Sequence, residues 1–571
     1  MSRRSQIVNG WIIALLIISI ALVFEARLVY LQVYHHETYK ALAEDQYSAP
    51  VTNAFNRGSI YFSDKDGEVS LAAGLASGFI LAVNPKQIAD ATSTYFAINS
   101  IFPTEEKEFL EKASKAGDPY EEITRRIPEK EANEIKKLKQ KGVIVSPERW
   151  RAYPYKTLAA QALGFVAYGD NNALSGRYGL ERYYNDVLSR DSESVYVNFF
   201  AEVFSDLSKN VFANSKERDG DLILTIEPKV EEYLEETLKE VRSKWQSDIV
   251  GAIVLDPMTG KIIAMGSLPN FDLNEFGEVA NPRTYSNPLT ENIYEMGSII
   301  KPLVMAAGLD AGAVTPDTHY EDRGFVEVSG KRLKNFDEKG RGYVDMQNVL
   351  GQSLNTGMVF VAQKTGHEKF REYMLAYGLG EETGVDLPNE VAGLVKNLSS
   401  RVEVDYLTAS FGQGIAMNAL ATARALATLG NGGILINPYI VSEIRYKGGF
   451  SKKLVPNEPK RVLKKETSET ITRMLVNVVD KYLAGGGHNI PRYSVAAKTG
   501  TAQIAAPGGG YYTDRFLHSF FGYFPAYNPK FLIFIFQVNP KGARFSSETL
   551  TDPFLKITKF LLNYYEIPPD R

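Results

Sequence analysis

A serine and a lysine lie three positions apart in the segment Tyr294-Glu-Met-Gly-Ser-Ile-Ile-Lys-Pro302. At this spacing, Ser298 and Lys301 would lie on one face of a helix, one turn apart. A serine becomes a nucleophile only with a base beside it, and Lys301 can act as that base if burial or a nearby cation favours its neutral amine. The pair therefore predicts serine-nucleophile chemistry; the structural alternative is an N-capped helix with an exposed lysine.

Pro302 indicates where that helix begins. Because proline has no backbone N–H and is tolerated only in the first turn, we expect the helix to start at about Ser298. The serine hydroxyl would then lie near free backbone N–H groups and the positive end of the helix dipole. Both of these features can stabilise an anion.

Two later segments add groups that suit the same chemistry. Gly351-Gln-Ser-Leu-Asn355 supplies a second hydroxyl, on Ser353, and an amide, on Asn355. Ala497-Lys-Thr-Gly-Thr501 supplies a cation, two hydroxyls and a glycine that would let the backbone of a substrate approach closely. We expect this third segment to end a β-rich stretch, residues 493–497, and the groups together to line one wall of a cleft.

Both tripeptide patterns occur a second time. Ser208-Lys-Asn210 fits Ser-x-Asn, but it precedes the serine nucleophile and lies outside the strand-bounded domain predicted below. Lys364-Thr-Gly366 fits Lys-Thr-Gly, but it follows the helical run Thr356–Lys364, where Gly366 is typical of a residue that ends a helix. We therefore exclude both from the site.

The elements that must position these groups begin near residue 219. A strand, an amphipathic helix, the two strands of a hairpin and a strand buried on both faces are predicted at Asp221–Ile226, Lys229–Trp245, Val250–Leu255, Lys261–Met265 and Phe531–Val538. Strands thus lie at both ends of residues 250–571, with helices between them. We predict one large α+β domain at 219–571, whose sheet is closed by distant parts of the chain.

The composition excludes several classes of protein. The chain has 571 residues, 44% hydrophobic and 23% charged, which is ordinary for globular proteins. Its net charge of −4 offers no basic excess for a phosphate backbone, so we expect no nucleic-acid partner. The absence of cysteine excludes disulfides, thiol nucleophiles and thiolate metal sites, and with six histidines we expect no metal site.

The N-terminus predicts a membrane anchor. Ile7–Phe24 is an uncharged run of 18 residues, which meets the lower limit for a bilayer-spanning helix, and Arg3 and Arg4 precede it. Bulky and charged residues follow, so an uncleaved anchor is favoured over a cleaved signal peptide. We predict a cytoplasmic tail at 1–6, a transmembrane anchor at 7–27, and export of the remainder.

Residues 28–218 lie between the predicted anchor and the strand-bounded domain. A helical stalk is expected at Leu28–Asp45, and the rest is mixed and irregular. Thr104–Lys141 carries many Lys and Glu residues at i,i+3 and i,i+4 spacing, which is typical of a helix with a solvated face.

The ordered motifs Ser-x-x-Lys, Ser-x-Asn and Lys-Thr-Gly are typical of penicillin-binding proteins and class A β-lactamases. On these motifs the chain resembles a class B penicillin-binding protein, a peptidoglycan D,D-transpeptidase, and it is most similar to the cell-division type. Further matching segments are Arg57-Gly-Ser-Ile, Arg151-Ala-Tyr-Pro-Tyr, Ala160-Gln-Ala-Leu-Gly-Phe165, Gly179-Leu-Glu181 and Phe521-Gly-Tyr-Phe-Pro-Ala526. The chain departs from the family at Met296, usually Pro, at Leu354, usually small or polar, and at Ser63-Asp-Lys-Asp-Gly67, usually Asp-Arg-x-Gly.

The resemblance implies a penicillin-binding transpeptidase fold, a mainly antiparallel sheet flanked by helices. An irregular, mixed α/β pedestal or dimerisation-like region at 28–218 and one N-terminal transmembrane helix would precede it. The implied location is the bacterial cytoplasmic membrane, with the catalytic domain outside. No cofactor and no metal are implied. The implied partners are peptidoglycan stem peptides, β-lactams, a separate membrane glycosyltransferase and other wall-synthesis proteins.

The resemblance also implies the catalytic roles. Ser298 attacks the carbonyl between the last two D-alanines of a stem peptide, D-alanine leaves, and an amine of a neighbouring stem peptide resolves the acyl-enzyme. Lys301 is the implied base, and Ser353 relays a proton to the leaving or entering amine. Lys498 supplies a positive field that lowers the pKa of Lys301 and attracts the terminal carboxylate.

The implied substrate-binding groups come from the second and third motifs. Asn355 holds the backbone of the acyl donor, the hydroxyls of Thr499 and Thr501 bind its carboxylate, and Gly500 gives that backbone room. The backbone N–H groups of Ser298 and Thr501 form the oxyanion hole, where one donor contributes about 3 kcal/mol.

Three other functions stay open at this point. An elongation-type transpeptidase shares every motif, although the Phe521–Ala526 segment favours cell division, in septal wall synthesis. A β-lactamase or D,D-carboxypeptidase of the same fold needs a group that activates water, such as a placed glutamate, and no Glu-x-x-Leu-Asn occurs in the chain. A catalytically silent scaffold or β-lactam sensor would use the anchor and the long non-catalytic region, but no expected functional group is missing.

Overall fold

The computed structural model describes residues 55–115, 117–169, 174–190, 219–447, 449–454, 458–487 and 489–571. The predicted anchor and stalk and the excluded Ser208–Asn210 segment lie outside these residues. Among the residues that are described, no helix is long and apolar enough to cross a membrane. The described chain forms two compact units, a smaller one of residues 78–148 and a larger one of residues 55–77 and 149–571.

The strands, in chain order, are β1 (Ile60–Ser63), β2 (Val69–Val83), β3 (Glu121–Ile127), β4 (Val143–Ala152), β5 (Val166–Tyr168), β6 (Leu174–Gly176), β7 (Gly220–Leu224), β8 (Ile249–Leu255), β9 (Ile262–Leu268), β10 (His319–Asp322), β11 (Phe325–Val328), β12 (Lys331–Lys334), β13 (Gly342–Asp345), β14 (Ile434–Leu435), β15 (Val441–Tyr446), β16 (Ser451–Lys453), β17 (Lys460–Arg461), β18 (Ala496–Ala505), β19 (Tyr511–Phe524) and β20 (Phe531–Val538).

The α-helices are α1 (Ala91–Asn99), α2 (Glu106–Ala113), α3 (Glu129–Lys137), α4 (Ala160–Leu163), α5 (Gly179–Tyr183), α6 (Asn185–Leu188), α7 (Pro228–Trp245), α8 (Lys301–Asp310), α9 (Met346–Gly351), α10 (Asn355–Thr365), α11 (His367–Ala376), α12 (Glu403–Ala409), α13 (Ala419–Ala427), α14 (Lys465–Asn477), α15 (Ser546–Thr549) and α16 (Thr551–Tyr564). Short 3₁₀ or π turns lie at Phe276–Glu278, Pro282–Tyr285, Gly297–Ile300, Lys396–Ser399, Val478–Tyr482 and Leu483–Gly486.

The smaller unit packs α1, α2 and α3 against β3 and the second half of β2, around buried residues such as Leu81, Phe109 and Ile135. The prediction of a single helical stretch at Thr104–Lys141 is wrong, because β3 interrupts it. The physical reason is that a glycine and two prolines, which end helices, outweigh the charge pattern. Two helix-ending residues follow α2: Gly117, with a φ of +92°, and a proline at 119. Another proline, at 128, directly precedes α3.

In the larger unit, β1 joins parts of the chain that are far apart in sequence. It pairs antiparallel with β2 and parallel with β7, where Ile60 lies opposite Leu222. β7 pairs in turn with β15, and β15 with β16. Residues 55–77 and 149–190 are therefore part of the same compact unit as the strand-bounded domain. The predicted boundary after residue 218 lies outside the described residues and stays a prediction.

The sheet that carries the site is antiparallel throughout and, in the described chain, has five strands in the order β18-β19-β20-β8-β9. Phe534 and Phe536 of β20 face the apolar cluster that contains α8, whereas Ile533 and Ile535 face the cluster that contains α7 and α16. The predicted hairpin, now β8 and β9, and the predicted doubly buried strand, now β20, are confirmed. Helices thus flank both faces of the sheet, as the predicted α+β class requires.

Candidate active site

Ser298 lies in the 3₁₀ turn Gly297–Ile300, which leads directly into α8. Pro302 is the second residue of α8, where the helix needs no N–H from it. The α-helix begins at Lys301, three residues after the predicted start, and the 3₁₀ turn that contains Ser298 precedes it. Gly297 has a φ of +63°, and a Cβ atom there would lie 2.7 Å from the carbonyl oxygen of Thr501. Glycine at this position therefore lets the nucleophile turn reach the edge of β18.

Lys301 is fully buried, with 0% of its surface exposed. Its Nζ donates to the carbonyl oxygen of Ser353 at 2.6 Å and to Oδ1 of Asn355 at 2.7 Å, and it lies 3.1 Å from Ser353 Oγ. Burial, and then the charge of Lys498, lower the pKa of Lys301 well below its usual value. The structure thus brings three of the predicted site residues around an amine that tends to lose its proton.

The three oxygen partners of Lys301 can accept the three N–H groups of its charged form, and they can also satisfy its neutral form. A neutral amine has two N–H groups and one lone pair. The Ser353 carbonyl and the Asn355 amide oxygen can only accept, so they take the two N–H groups, and the Ser353 hydroxyl can donate to the lone pair. In the described chain no hydrogen bond joins the half-buried Ser298 hydroxyl to Lys301. Catalytic hydrogen bonds are often loose before substrate binds.

The second motif lies between α9 and α10. Ser353 has a φ of +57°, in the left-handed region, and Asn355 is the first residue of α10. Leu354 between them is fully buried, and its N–H donates to the Val349 carbonyl at 3.0 Å. The leucine therefore serves as an apolar plug in the core, which accounts for a large residue where the family usually has a small or polar one.

The third motif lies on β18, the last strand of the sheet in the described chain. The prediction that this motif ends a strand is wrong, because β18 starts at Ala496 and continues to Ala505. Of the residues expected to precede it as strand, 493–495 lie outside β18, and Ser494 donates its N–H to Asp570 at 2.7 Å. Lys498 is 4% exposed, and burial lowers its pKa to about 8.

The orientation of β18 is fixed by its contact with the nucleophile turn. The carbonyl of Thr501 faces Gly297, away from β19, and a strand residue directs its N–H and C=O to the same side. The Thr501 N–H therefore also faces the free edge, beside the Ser298 turn. Strand alternation places the backbone groups of Thr499 on that edge as well, and its carbonyl accepts from Lys498 Nζ at 2.9 Å.

Gly500 has a structural explanation that the sequence did not suggest. A Cβ atom there would lie 2.4 Å from Ser519 Oγ and 2.9 Å from both Ile299 Cγ2 and the Met296 carbonyl oxygen. The glycine therefore gives room to the nucleophile turn on the inner face of β18. Its predicted role in binding substrate stays a prediction.

The two threonines of the third motif have different surroundings. Thr501 Oγ1 accepts the N–H of Ser546 at 3.0 Å, which ties β18 to the start of α15. Thr499 borders a cavity of about 350 Å³ that is also lined by Lys498, Tyr482 and Glu548. Space for a bound group thus adjoins the predicted carboxylate-binding side of the strand.

The excluded segment Lys364-Thr-Gly366 lies where the sequence places it, at the end of a helix. α10 ends at Thr365, and Gly366 caps it with a φ of +82°. Lys364 is exposed and lies 5.6 Å from the centre of the Phe360 ring. The same three residue types therefore have no part in the cluster around Lys301.

Sequence reasoning missed a group of neighbours on the other side of Ser298. The carboxylate of Glu295 accepts the N–H of Gly414 at 3.1 Å and the hydroxyl of Tyr511 at 2.9 Å. Burial raises the pKa of Glu295. The paired glycines of Phe411-Gly-Gln-Gly414 are a signal of close backbone approach, and Gly412 indeed accepts the N–H of Gly297 at 3.3 Å. No local pattern connects Glu295 with Tyr511.

Among the described residues, no group of three or more acidic or histidine side chains could hold a metal ion. The available chemistry is that of a hydroxyl nucleophile with an amine base, a second hydroxyl, a cation and two backbone N–H groups, one in the Ser298 turn and one at the edge of β18.

Comparison with known proteins agrees with this geometry. Residues 250–558 match the family described as the penicillin binding protein transpeptidase domain, and residues 52–201 match the penicillin-binding protein dimerisation domain. The chain is 31% identical to stage V sporulation protein D of Bacillus subtilis, over 94% of this chain and 82% of that protein. It is 28% identical to the peptidoglycan D,D-transpeptidase FtsI homolog of Mesostigma viride, over 78% of each.

A solved structure shows the same fold. Penicillin binding protein 3 of Mycobacterium tuberculosis, in complex with aztreonam, aligns with a TM-score of 0.69 at 22% identity, over 91% of this chain and 98% of that one.

Proposed function

The chain belongs to the class B penicillin-binding proteins and is a peptidoglycan D,D-transpeptidase, and we propose that it works through an acyl-enzyme on Ser298 that β-lactams also form. The observation that carries the proposal is the cluster at Lys301, a fully buried amine with a lowered pKa that contacts Ser353 and Asn355. A buried lysine with no carboxylate among these contacts suits a base and does little for stability.

In the first half-reaction, Ser298 Oγ attacks the carbonyl carbon between the last two D-alanines. Lys301 takes the hydroxyl proton, a new ester bond forms, and the C–N bond breaks. The departing D-alanine amine receives a proton through Ser353, whose hydroxyl lies 3.1 Å from Lys301 Nζ. The proton that leaves the nucleophile thus returns to the leaving group, and the lysine is neutral again.

In the second half-reaction, the amine of a neighbouring stem peptide attacks the ester carbonyl. Ser353 and Lys301 now accept a proton from that amine. The new amide C–N bond forms, the ester bond between the carbonyl carbon and Ser298 Oγ breaks, and Ser298 Oγ takes that proton. The N–H groups of Ser298 and Thr501 stabilise the oxyanion in both steps; each contributes about 3 kcal/mol. The support for Thr501 is its carbonyl contact with Gly297, which orients its N–H toward the nucleophile turn.

The remaining groups bind the acyl donor. Lys498, with a pKa of about 8, is mostly charged at neutral pH and attracts the terminal carboxylate. Thr499 and Thr501 contact that carboxylate with their hydroxyls, and Gly500 keeps the strand narrow beside it. Asn355 orients the donor backbone while its Oδ1 accepts from Lys301 at 2.7 Å.

The cellular setting is also part of the proposal. Ile7–Phe24 anchors the chain in the bacterial cytoplasmic membrane with residues 1–6 inside, and 28–218 serves as a pedestal toward a separate glycosyltransferase. Two observations favour a role in septal wall synthesis: the Phe521–Ala526 segment, and the similarity to a relative named as an FtsI homolog. The relative named for sporulation, at 31% identity, makes wall synthesis during spore formation a second candidate.

A fluorescent penicillin tests the chemistry. The full-length chain should be labelled covalently, mass spectrometry should find the adduct on the peptide that contains Ser298, and Ser298→Ala should remove it. Equal labelling of both proteins, or an adduct elsewhere, would overturn the proposal. Rapid repeated turnover of a chromogenic cephalosporin would instead identify a β-lactamase.

Imaging of a fluorescent fusion tests the setting. Enrichment at the septum would support the division role. Dispersed signal along the sidewall would support an elongation role, and signal at the forespore would support the sporulation role. A Ser298→Ala strain that divides normally while a deletion strain fails would point to a scaffold.

A further inference from the structure

A small β-structure that precedes the second motif, Gly351–Asn355, in sequence forms hydrogen bonds with it. β10 pairs with β13, β11 pairs with β12, and the loop Asn335–Arg341 follows β12. Nδ2 of Asn355 donates to the Lys334 carbonyl at 2.9 Å, at the start of this loop. Nε of Arg341 donates to Oε1 of Gln352 at 3.1 Å, at its end. The loop therefore holds the motif on both flanks.

Thr356, the residue after Asn355, forms the most buried of the contacts between the second motif and this β-structure. It is 4% exposed, and its N–H donates to Asn335 Oδ1 at 3.2 Å. Its hydroxyl lies 2.9 Å from Asp322 Oδ1, the charged acceptor to which it donates, and 3.1 Å from the hydroxyl of Tyr320. The hydroxyl also lies 3.0 Å from Asn335 Oδ1, so this one side chain connects α10 to both β10 and the loop.

Asp322 is the centre of this network and is 2% exposed. Its carboxylate accepts from Asn335 Nδ2 at 3.0 Å, from the N–H of Gly324 at 2.9 Å and from the N–H of Arg341 at 3.0 Å, in addition to Thr356. A buried polar network in which every member has partners is rigid and specifies one arrangement. The loop that grips the second motif therefore has a fixed conformation.

This attachment acts on the atoms that surround Lys301. The Ser353 carbonyl and Asn355 Oδ1, its two acceptors at 2.6 and 2.7 Å, belong to the segment between the Arg341 contact and the Thr356 contact. A shift of that segment would lengthen both hydrogen bonds and move the Ser353 hydroxyl. Misplacement of catalytic groups by about 1 Å can cost a hundredfold in rate.

We propose that Asp322, Asn335 and Thr356 are positioning residues for transpeptidation, because they hold Ser353 and Asn355 where these meet Lys301. The inference rests on the proposed roles of Ser298 and Lys301. The network contacts neither the nucleophile nor the oxyanion donors, so its effect should fall on the rate of acylation rather than on whether acylation occurs.

The test compares Thr356→Val, which keeps the shape and removes the hydroxyl, with Thr356→Ser, which keeps the hydroxyl. Thr365→Val is the matched control, because Thr365 is a buried threonine on the same helix whose hydroxyl donates only to the helix carbonyl of Val361, at 2.8 Å. The first-order acylation constant at saturating fluorescent penicillin and the melting temperature are measured on the full-length proteins.

The expected result is an acylation constant about tenfold lower in Thr356→Val, with Thr356→Ser and Thr365→Val within about twofold of wild type. Thr356→Val should also lose more melting temperature than Thr365→Val, because the Thr356 hydroxyl contacts both Asp322 and Tyr320, whereas that of Thr365 contacts the Val361 carbonyl. An equal rate effect in both valine variants, or none in either, would overturn the inference. Labelling of wild type at Ser298 in the same experiment shows that the proposed function itself holds.

A second variant tests the same inference in case the Thr356→Val protein does not fold. Arg341→Gln removes the hydrogen bond to Gln352 and the ion pair with Asp337; the arginine side chain is 18% exposed, and a partly exposed ion pair contributes little to stability. We expect a fall in the acylation constant of about threefold with little change in melting temperature. A folded Arg341→Gln protein with the wild-type constant would count against the positioning role.

Discussion

Two clusters of buried charge in this protein are built on opposite plans. At the site, Lys301 and Lys498 are like charges, and the contacts of Lys301 are neutral oxygens. In the part of the larger unit that precedes the transpeptidase domain, Glu181 receives Arg57 Nε at 2.5 Å and Arg151 Nε at 2.6 Å. The first cluster makes the charged form of Lys301 unfavourable, which leaves an amine that can accept a proton. The second cluster pairs its charges and stabilises the fold.

The second cluster also explains why three separated segments resemble the family. Arg57, Arg151 and Glu181 come from three different matching segments, and the structure brings them into one ion network. Tyr153, from the same segment as Arg151, adds a hydroxyl 3.3 Å from Glu181 Oε1. Similar residues in distant segments can therefore reflect one shared structural contact and need no substrate.

The largest effect is expected from Lys301→Met. The variant keeps the length and loses the base, so acylation by penicillin should fall about 10²–10⁴-fold. The melting temperature should hold or rise, because a buried amine is replaced by an apolar chain. Stopped-flow labelling and thermal denaturation measure the two effects. Lys364→Met, in the excluded Lys-Thr-Gly segment, is the control and should acylate at the wild-type rate.

Glu181→Gln should show the opposite pattern. Two buried guanidinium groups lose their counter-charge, which typically costs about 3–5 kcal/mol of unfolding free energy. The folded fraction should acylate within about twofold of wild type, because the side chain contacts Arg57, Arg151 and Tyr153 and no predicted site residue. Urea denaturation measures the loss, with the exposed Glu236→Gln as control. A slow but stable Glu181→Gln protein would contradict the division of roles.

A smaller effect is expected on the pH profile of acylation. The rate should rise with pH as Lys301 loses its proton and fall as pH passes about 8, where Lys498 loses its own. Lys498→Gln removes a positive neighbour, so the pKa of Lys301 rises and the acid limb should move to higher pH. An unmoved acid limb would mean that burial alone sets the state of Lys301.

The smallest effect is expected from Tyr153→Phe. It removes one long hydrogen bond to Glu181 and leaves both arginines paired. The loss of unfolding free energy should be about 1 kcal/mol, with no change in acylation. Thermal denaturation beside Glu181→Gln measures it. A loss as large as that of Glu181→Gln would show that the hydroxyl, rather than the ion pairs, dominates the cluster.

Local chemistry allowed much of the site to be predicted. The spacing of Ser298 and Lys301, with Pro302 after them, is enough to place the start of helical structure near Ser298. A run that is apolar except for Gln537 is enough to predict β20 as a strand buried on both faces. Gly366 also marks the helix end that excludes the second Lys-Thr-Gly. In each case the deciding signal lies within one or two turns of chain.

The rest depends on contacts between distant residues. Asp322 meets Thr356 across 34 positions, and Glu295 meets Tyr511 across 216, so neither pair leaves a local pattern. The start of β18 is set by pairing with β19 and by the bond from Ser494 to Asp570, which no strand propensity contains. The interruption at β3 does have a local signal, the prolines at 119 and 128, which outweigh the charge pattern that favours a continuous helix.

The open edge of β18 has a consequence for solubility. A strand with unpaired backbone groups is a template on which the sheet of another molecule can grow, and aggregation starts at such edges. Here an inward-pointing charge, on Lys498, lies on that strand, and the nucleophile turn at Gly297 covers the edge at Thr501. Both features are among those that discourage sheet-to-sheet pairing. Lys498, for which we propose a role in attracting the substrate carboxylate, therefore also helps to prevent pairing between copies of the protein.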